Sequence, residues 1–593
     1  MSKTSKALII AATVCVVLVL LLGIGVAVVA EIFRAKSIPQ NSVLVLRVEG
    51  ALEDYAPKDS MASALGINQS DSFRDLLNQL KKAKADKRIG GVLLDINFPQ
   101  MGWGKAQELR NAIKEVRAGG KPVYAYLELG MTKDYYIATA AEKIYMPPAG
   151  DLYATGFSAN ATFYKGSLDK IGIEPEVIQI GKYKNAPDSY TRTDMSDEQR
   201  EVLNAIVDQY YGSFVNAVAE ARKKSVEEVK EIVDSAPFHG KLAQDAGLTD
   251  GAIYKEQVYN EFKKRLGFNE KDKLPQVTSA EYENVSPESL GLNKGERLAV
   301  VYVSGTINMG SSSSSPLGES FAGSDTIVES INDAAEDDSI KAIILRVDSP
   351  GGSSLASDLI WNAIEQAKTK KPVVVSMADL AASGGYYISC NANKIVAEPN
   401  TLTGSIGVFL GKPVLKGFYD WVGISTENVQ RGKNAGLFRE DVKWTDEERA
   451  KMQEQANQVY FTDFVPKVAK GRNMDVEKVN SLGQGHVWTG TQAKENGLVD
   501  EIGGIDVAIK EAMKLAKIPE SNQVKLVLFP PPVSLFEAYF GSSHAASQMD
   551  AAEAKIIKNI PPQIRNSLRR AAMFERMKNG ETMLMMPFEL EVK

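Results

Sequence analysis

The feature that most constrains the fold is an internal repeat of about 250 residues. One segment, IGGVLLDINFPQMGWGKAQELRNAI, begins at Ile89, and its counterpart, IKAIILRVDSPGGSSLASDLIWNAI, begins 251 residues later at Ile340. KPVYAYLELGMTKDYYIATAAEKIYM from Lys121 similarly matches KPVVVSMADLAASGGYYISCNANKIVA from Lys371. Solenoid units span only about 20 to 50 residues, so a repeat of this length is a whole domain. The sequence therefore predicts two tandem domains of one fold.

Each copy alternates predicted strands with predicted helices. VLVLRVEG and LAVVYVSGTI open the two copies, and each is followed by a nearly continuous apolar strand and a helix with a period near 3.6. Continuous apolar strands are typical of parallel sheets that are buried on both faces. We predict an α/β fold, with domains at residues 41–290 and 291–525. Residues 526–593 lie outside the repeat, and the sequence assigns them no role.

The N-terminal section, residues 1–40, contains the 24 uncharged residues from Ala7 to Ala30. As a helix, this run exceeds the roughly 30 Å hydrocarbon core of a bilayer. A cleavable signal peptide usually has an apolar region of only about 7 to 15 residues, although Val28 and Ala30 would suit cleavage. The sequence favours a retained single-pass transmembrane anchor, with the bulk of the chain on the far side of the membrane from the short N-terminus.

Composition excludes several kinds of function. Lys and Arg number 69 against 75 Asp and Glu, and no basic block is present, so nucleic-acid binding has no support. Two cysteines, Cys15 and Cys390, allow no disulfide framework and no zinc motif. The three histidines, His239, His486 and His544, offer little for a metal site or a Ser-His-Asp triad. We expect no metal and no cofactor, and an activated serine would need another base.

The two copies differ at two glycine pairs. The second copy has PGG at 350–352 and SGG at 383–385, where the first has PQM at 99–101 and TKD at 132–134. Both positions follow predicted strands, at the end of an α/β sheet where ligands bind. Glycines let a substrate approach the backbone amides, and two such amides can form an oxyanion hole. We infer that the first copy keeps the fold but has no nucleophile.

Ser383 lies among small residues in MADLAASGGYYIS. Alone, this pattern is equally consistent with close packing and a serine N-cap. Its combination with DSPGGS about 30 residues upstream favours a catalytic serine. Asp348, before that turn, is interpreted as orienting it rather than as catalytic. Tyr386 and Tyr387 recur in the first copy, which indicates packing.

Three motifs, DSPGGS, AASGGYYIS and TLTGSIGVF, resemble those of the signal peptide peptidase A (protease IV) family of membrane-bound Ser-Lys peptidases in the ClpP/crotonase superfamily. The resemblance covers residues 7 to 525. It implies two tandem ClpP/crotonase-like domains, with Ser383 as nucleophile and Lys184, in GKYKNA, as general base. It also implies Ser405 as a helper that orients the amine, and Gly352 and Gly384 as oxyanion donors.

A lysine can act as a base only when neutral, and its ordinary pKa is about 10.4. Burial between two domains would lower that pKa. Lys433, in GKNAGLF, is a rival because KNA aligns with the KNA of Lys184 at a spacing of 249 residues. The family resemblance places the base in the first copy and favours Lys184.

The resulting hypothesis is a membrane-anchored serine endopeptidase that degrades cleaved signal peptides and other peptides in or near the membrane. Such an enzyme would lie in the inner membrane, with its domains on the periplasmic side, and a sheet edge would hold the peptide by strand addition. A site shared between copies suggests a homo-oligomer, a tetramer by resemblance. Whether Ser383 and Lys184 pair within one chain or between neighbours stays open. The alternatives are a crotonase-like acyl-CoA enzyme and a non-catalytic membrane scaffold.

Overall fold

A computed structural model describes residues 38–55, 72–314, 320–530 and 582–586. The predicted anchor at residues 7–30 lies outside these ranges, as do Cys15 and His544. Within them, no helix combines the length and the apolar character that crossing a bilayer requires.

Strands alternate with helices through both copies, as the sequence predicts. In the first copy the strands are β1 Ser42–Ala51, β2 Ile89–Gln100, β3 Val123–Leu127, β4 Leu129–Met131, β5 Lys143–Met146, β6 Asp151–Tyr153, β7 Glu174–Ile180, β8 Phe238–His239, β9 Gly251–Ala252 and β10 Gln276–Thr278. Thereafter they are β11 Glu296–Ser304, β12 Thr306–Asn308, β13 Ser313–Ser314, β14 Ser320–Gly323, β15 Ile340–Ser349, β16 Gly351–Ser353, β17 Val373–Ala382, β18 Lys394–Ala397, β19 Leu402–Gly404, β20 Val408–Val414, β21 Val487–Thr489, β22 Glu501–Ile502, β23 Val524–Phe529 and β24 Met583–Met585.

The helices pack around the sheets and between the copies. Those of the first copy are Phe73–Ala85, Trp103–Ala118, Thr132–Ala138, Lys165–Lys170, Asp188–Thr191, Asp197–Arg222, Val226–Asp234, Gly240–Asp245, Lys255–Leu266 and Ser279–Glu283, followed by a 3₁₀ turn at Pro287–Leu290. Those of the second are Ser324–Glu336, Ser354–Lys368, Gly384–Ser389, Lys416–Val422, Asp446–Asn457, Val465–Arg472, Val476–Leu482, Gly490–Asn496 and Ile505–Leu515, with a π-helical turn at Gln458–Phe464.

The main sheets of the two copies have equivalent topologies. The first has the order β10-β1-β2-β3-β5-β9, and every neighbouring pair is parallel. The second contains the equivalent path β23-β11-β15-β17-β18-β22, also parallel throughout. The predicted duplication of an α/β domain is therefore confirmed. Because β23 pairs with β11, the second sheet extends past residue 525 to Phe529.

A further sheet joins the copies. Strand β7 of the first copy pairs antiparallel with β20 of the second, from Glu174 opposite Val414 to Ile180 opposite Val408. The sheet continues in the order β13-β14-β12-β16-β24-β20-β7, so it also includes a strand from near the C-terminus. This pairing fixes the loop after β7, which contains Lys184, against the second copy.

A helix of the first copy docks on the second copy beside the candidate site. The backbone N–H groups of Gly102 and Lys105, at the start of Trp103–Ala118, each donate a 2.7 Å hydrogen bond to the carboxylate of Asp379. Asp379 lies in β17, whose last residue immediately precedes Ser383. Amides at a helix N-terminus favour an anionic partner. The docking therefore holds the strand that carries the serine.

Candidate active site

Ser383 occupies a sharp turn between β17 and the helix Gly384–Ser389. Its φ of 53° and ψ of −109° lie in a region that residues other than glycine rarely adopt. Two hydrogen bonds hold the turn: the Ser383 N–H donates to Gly404 O at 2.8 Å, and Tyr387 N–H donates to Ser383 O at 2.8 Å. The side chain is fully buried. The turn thus presents the hydroxyl at the carboxyl end of a parallel sheet.

Lys184 reaches this hydroxyl from the first copy. Its Nζ lies 2.7 Å from Ser383 Oγ, 3.0 Å from Ser405 Oγ and 3.1 Å from Ser405 O. The lysine loop is tied to the second copy because Tyr183 N–H donates to Gln484 O at 2.8 Å. The two predicted residues therefore meet within one chain. Because the two copies meet within one chain, this contact gives no reason to expect an oligomer.

The environment of Lys184 favours a neutral amine. The side chain is fully buried, and burial holds its pKa well below the ordinary range. Its three polar neighbours are two serine hydroxyls and a carbonyl, and none of them carries a charge. Lys105 is also buried, but the carboxylates of Asp348 and Asp379 outweigh burial and raise its pKa. A neutral amine at 2.7 Å can accept a proton from the serine.

The two predicted oxyanion donors adjoin each other. A Cβ placed on Gly384 would lie 3.1 Å from the Gly352 nitrogen and 2.7 Å from Ser357 Oγ. A Cβ placed on Gly351 would lie 2.7 Å from the Gly384 nitrogen. Side chains would not fit at these positions, which accounts for the glycines of both motifs. The PGG turn and the serine turn thus bring the backbone nitrogens of Gly352 and Gly384 close together; their role as oxyanion donors stays a prediction.

Lys433, the rival base, does not enter the site. Its side chain is 72% exposed, and its Nζ lies 2.5 Å from Glu447 Oε2. The loop that carries it is exposed from residue 421 to residue 435. The repeat aligns the two lysines in sequence, but only the first copy's loop is held against a serine turn.

The contacts of His239, His486 and Tyr386 are with residues outside the Ser383–Lys184 pair. His239 is exposed and lies 2.8 Å from Asp151, whereas His486 stacks on Trp488 with ring centroids 3.7 Å apart. Burial lowers the pKa of His486 to about 4. Tyr386 donates its hydroxyl to the backbone carbonyl of Leu498 at 2.9 Å. In the ranges that the structure describes, no group of three or more His, Cys, Asp or Glu side chains could bind a metal ion.

Sequence reasoning missed the support beneath the site. Lys105 Nζ donates to Asp348 Oδ2 at 2.9 Å and lies 3.2 Å from Asp379 Oδ2. Asp348 in turn accepts a 3.2 Å hydrogen bond from Leu380 N–H, so it holds the strand that leads to the serine. Its role in orienting the PGG turn stays a prediction. No motif marks Lys105, because its partners come from the other copy. Its counterpart in the repeat, Ala356, is small and apolar, so comparing the copies gives no sign of a buried cation.

A second buried cation, Arg346, also lies at the interface between the copies, in addition to Lys105. Arg346, in β15, donates to both oxygens of Asp54 at 2.8 and 2.9 Å and to Glu108 Oε2 at 2.7 Å. All three side chains are buried, and the two carboxylates outweigh burial to raise the pKa of Arg346. Both carboxylates come from the first copy. The interface beneath the site is therefore held by paired charges, and breaking such buried pairs is costly.

An α/β fold with a strained serine turn, a buried lysine amine beside it and neighbouring glycine amides is an arrangement typical of serine hydrolases. Comparison with known sequences narrows this class. Residues 115–269 and 365–519 each match the model of Peptidase family S49. The chain belongs to Peptidase family S49 and is a serine peptidase.

Two relatives extend the match along most of the chain. Serine protease SPPA, chloroplastic, of Arabidopsis thaliana is 35% identical, over 86% of this chain and 75% of that protein. Protease 4 of Salmonella typhi is 32% identical, over 85% of this chain and 83% of that protein. Among solved structures, a ClpP1 mutant from Listeria monocytogenes matches 35% of this chain and 92% of its own, with 16% identity and a TM-score of 0.23. Placement in the ClpP/crotonase superfamily stays a prediction.

Proposed function

We propose that this peptidase uses Ser383 as nucleophile and Lys184 as general base. The observation that carries the proposal is the 2.7 Å separation of Lys184 Nζ and Ser383 Oγ in a fully buried site. An amine kept neutral by burial is a competent base, and Ser-Lys pairs are known variants of the triad arrangement.

The reaction follows from these positions. Ser383 Oγ attacks a peptide carbonyl while Lys184 takes the hydroxyl proton, and the amides of Gly352 and Gly384 stabilise the resulting oxyanion. Collapse of the tetrahedral intermediate breaks the C–N bond, and Lys184 gives its proton to the leaving amine. Water, activated by the same amine, then hydrolyses the acyl-enzyme. Ser405, with Oγ 3.0 Å from Nζ, keeps the amine directed at the nucleophile.

We further propose that residues 7–30 anchor the enzyme in the inner membrane, with both domains on the periplasmic side. Support comes from their 24 uncharged residues. An anchored peptidase meets peptides released at the membrane, so cleaved signal peptides are the proposed substrates. Carbonate extraction of membranes, compared between the full chain and a variant with Leu18→Arg and Leu21→Arg, tests the anchor. Release of both forms would contradict it.

Assembly into a homo-oligomer, proposed as a tetramer, has support from the internal symmetry. In the first copy, β7 follows the sequence IGI and pairs with β20. In the second copy, the segment aligned with β7 is residues 425–431, which follow the similar sequence VGI. This segment is exposed along its whole length. Trp421 and Val429, next to and within this segment, are 70% and 87% exposed. Pairing of this segment with a second chain, as β7 pairs within the chain, would cover them. Light scattering of wild type and Val429→Asp tests this, and equal masses would contradict it.

The direct test compares peptide hydrolysis by the detergent-solubilised full chain and three variants. Ser383→Ala and Lys184→Met should lower kcat by several orders of magnitude, because each removes one member of a unit that acts together. Lys433→Met should match the wild type, since Lys433 is exposed and its ion pair is with Glu447, outside the site. Thermal unfolding of each variant checks that it folds. A fully active Ser383→Ala would overturn the proposal.

The alternatives predict different reactivity. A serine-directed fluorophosphonate should add once, at Ser383, in wild type and not in Ser383→Ala. A crotonase-like acyl-CoA enzyme uses paired oxyanion amides without a nucleophilic serine, and a scaffold needs neither. If the serine is not labelled and the chain binds acyl-CoA, the crotonase-like enzyme is favoured. If the serine is not labelled and acyl-CoA does not bind, the scaffold is favoured.

A further inference from the structure

A short strand from near the C-terminus lies directly against the proposed oxyanion turn. In β24, Met583, Leu584 and Met585 pair antiparallel with Ser353, Gly352 and Gly351 of β16. On its other side, Met583 pairs with Phe409 of β20. Strand addition of this kind is how many proteins bind an extended peptide. β24 therefore fills the space between β16 and β20, beside the proposed oxyanion turn.

The register places one carbonyl of β24 on a proposed oxyanion donor. Ser354 N–H donates to Thr582 O at 3.1 Å, and Met586 N–H donates to Pro350 O at 2.8 Å. Hydrogen-bonded pairs alternate with non-bonded pairs in an antiparallel ladder, so Gly352 and Leu584 form the bonded pair between these two. The Leu584 carbonyl thus accepts from Gly352 N–H. It also lies 1.9 Å from where a Cβ on Gly351 would be.

The side chains of β24 fill pockets on alternate faces, as a bound peptide would. Leu584 is fully buried in the apolar cluster of the second domain, which includes Ile307 and Ala381. Met583 is fully buried in a separate small cluster with Ala186 and Phe409. Ala186 lies two residues after the proposed base, so this second pocket is built from both copies.

We propose that Thr582–Met586 is an intramolecular inhibitor that occupies the substrate groove, with Leu584 in the position of the residue whose carbonyl is attacked. The proposal rests on the proposed function, because that function defines the groove. It also names the substrate class: an extended peptide whose side chain at the attacked residue is aliphatic. Substrate must displace β24, so the fraction of molecules with an empty groove sets the apparent KM.

Two variants of the 593-residue chain test this inhibition. One ends at Glu581, and the other is Leu584→Arg, which puts a charge into a fully buried apolar pocket. If β24 occupies the groove in about nine molecules in ten, either variant should lower the apparent KM for a peptide substrate about tenfold and leave kcat unchanged. Both should also accelerate fluorophosphonate labelling of Ser383. Leu242→Arg, at a 58% exposed leucine of the first copy, is the matched control and should change neither.

A synthetic peptide, ETMLMMPF, should inhibit the shortened chain competitively, and its Leu→Arg version should not. Unchanged KM and labelling rate in both variants would overturn the proposal. A fall in kcat for the shortened chain that the added peptide restores would also overturn it, because the strand would then be a structural part of the site. Residual activity of Ser383→Ala would instead refute the proposed function. In that case, binding of the fluorescently labelled peptide to the shortened chain would still show whether the groove accepts this strand.

Discussion

Gly485 offers a test of how closely the lysine must be positioned. A Cβ at this residue would lie 2.5 Å from the Lys184 nitrogen, 2.6 Å from its Cα and 2.7 Å from its Cβ. Ordinary contact begins at 3.4 Å, so Gly485→Ala requires a separation of about 0.9 Å between the two backbones. Gly485 is not free to withdraw, because its N–H donates to Ile406 O at 2.7 Å. We expect the lysine loop to move instead.

The expected consequence is a large loss of rate with a modest loss of stability. A displacement near 1 Å takes Lys184 Nζ out of its 2.7 Å contact with Ser383 Oγ, and misplacements of this size can cost about 10²-fold in rate. The φ of +81° adds strain for alanine of about 1 to 2 kcal/mol. Turnover of a peptide substrate should therefore fall about 10²-fold while the variant still unfolds cooperatively on heating.

Gly423 supplies the matched control. Its φ is +80°, and a Cβ there would meet nothing within 4 Å. Gly423→Ala therefore carries the same backbone strain without the contact, and it should lose stability but keep its kcat. Wild-type kcat in a folded Gly485→Ala would refute the idea that close packing at Gly485 positions Lys184. Equal losses of kcat in both variants would assign the effect to backbone strain.

Three other outcomes follow from the buried charges. Because burial lowers the pKa of Lys184, kcat/KM should fall as pH drops through that pKa and the amine protonates; a profile unaffected by Lys184→Met would contradict this. For the same reason, between the lowered pKa of the folded chain and about pH 10.4, Lys184 is protonated in the unfolded chain but neutral in the folded chain. The free energy of unfolding of the wild type, measured with urea, should therefore rise with pH over this range relative to that of Lys184→Met. Lys105→Met removes the buried cation from the partly buried carboxylates of Asp348 and Asp379 and should cost about 3 kcal/mol, the low end for breaking a buried pair, part of which Asp379→Asn restores. The control Lys114→Met, at an exposed pair, should stay within about 0.5 kcal/mol, and an equal loss in both would refute the role of Lys105.

The sequence predicts the fold well because its signals are local and duplicated. Apolar strand runs, helical periodicity and the repeat lead to two α/β domains, and the parallel sheets agree with this. The glycine pairs also mark the serine turn correctly, since backbone amides can only be approached closely where side chains are small. These features depend on residues that are near each other in the chain.

The rest of the site depends on contacts between copies, which local patterns do not encode. Lys184 and Lys433 look alike in sequence, and the pairing of β7 with β20 is what separates a buried base from an exposed loop. Lys105 carries no motif because its carboxylate partners lie more than 240 residues away. The sequence assigns no role to the strand at Met583–Met585, since three apolar residues give no sign of which sheet they join.

The same pairing accounts for why a duplicated fold has one proposed site. A Ser-Lys pair forms where the loop after one β7-like segment meets a glycine-rich turn of the other copy. In the chain, the first copy's loop meets SGG at 383–385. In the proposed oligomer, a second chain would pair with residues 425–431. Lys433 would then be directed at the TKD turn in the first copy of that second chain, which has neither the serine nor the glycines. That junction would be structural, so selection for catalysis would act on only one of the two equivalent positions, and the first copy could lose its glycine pairs while keeping its fold.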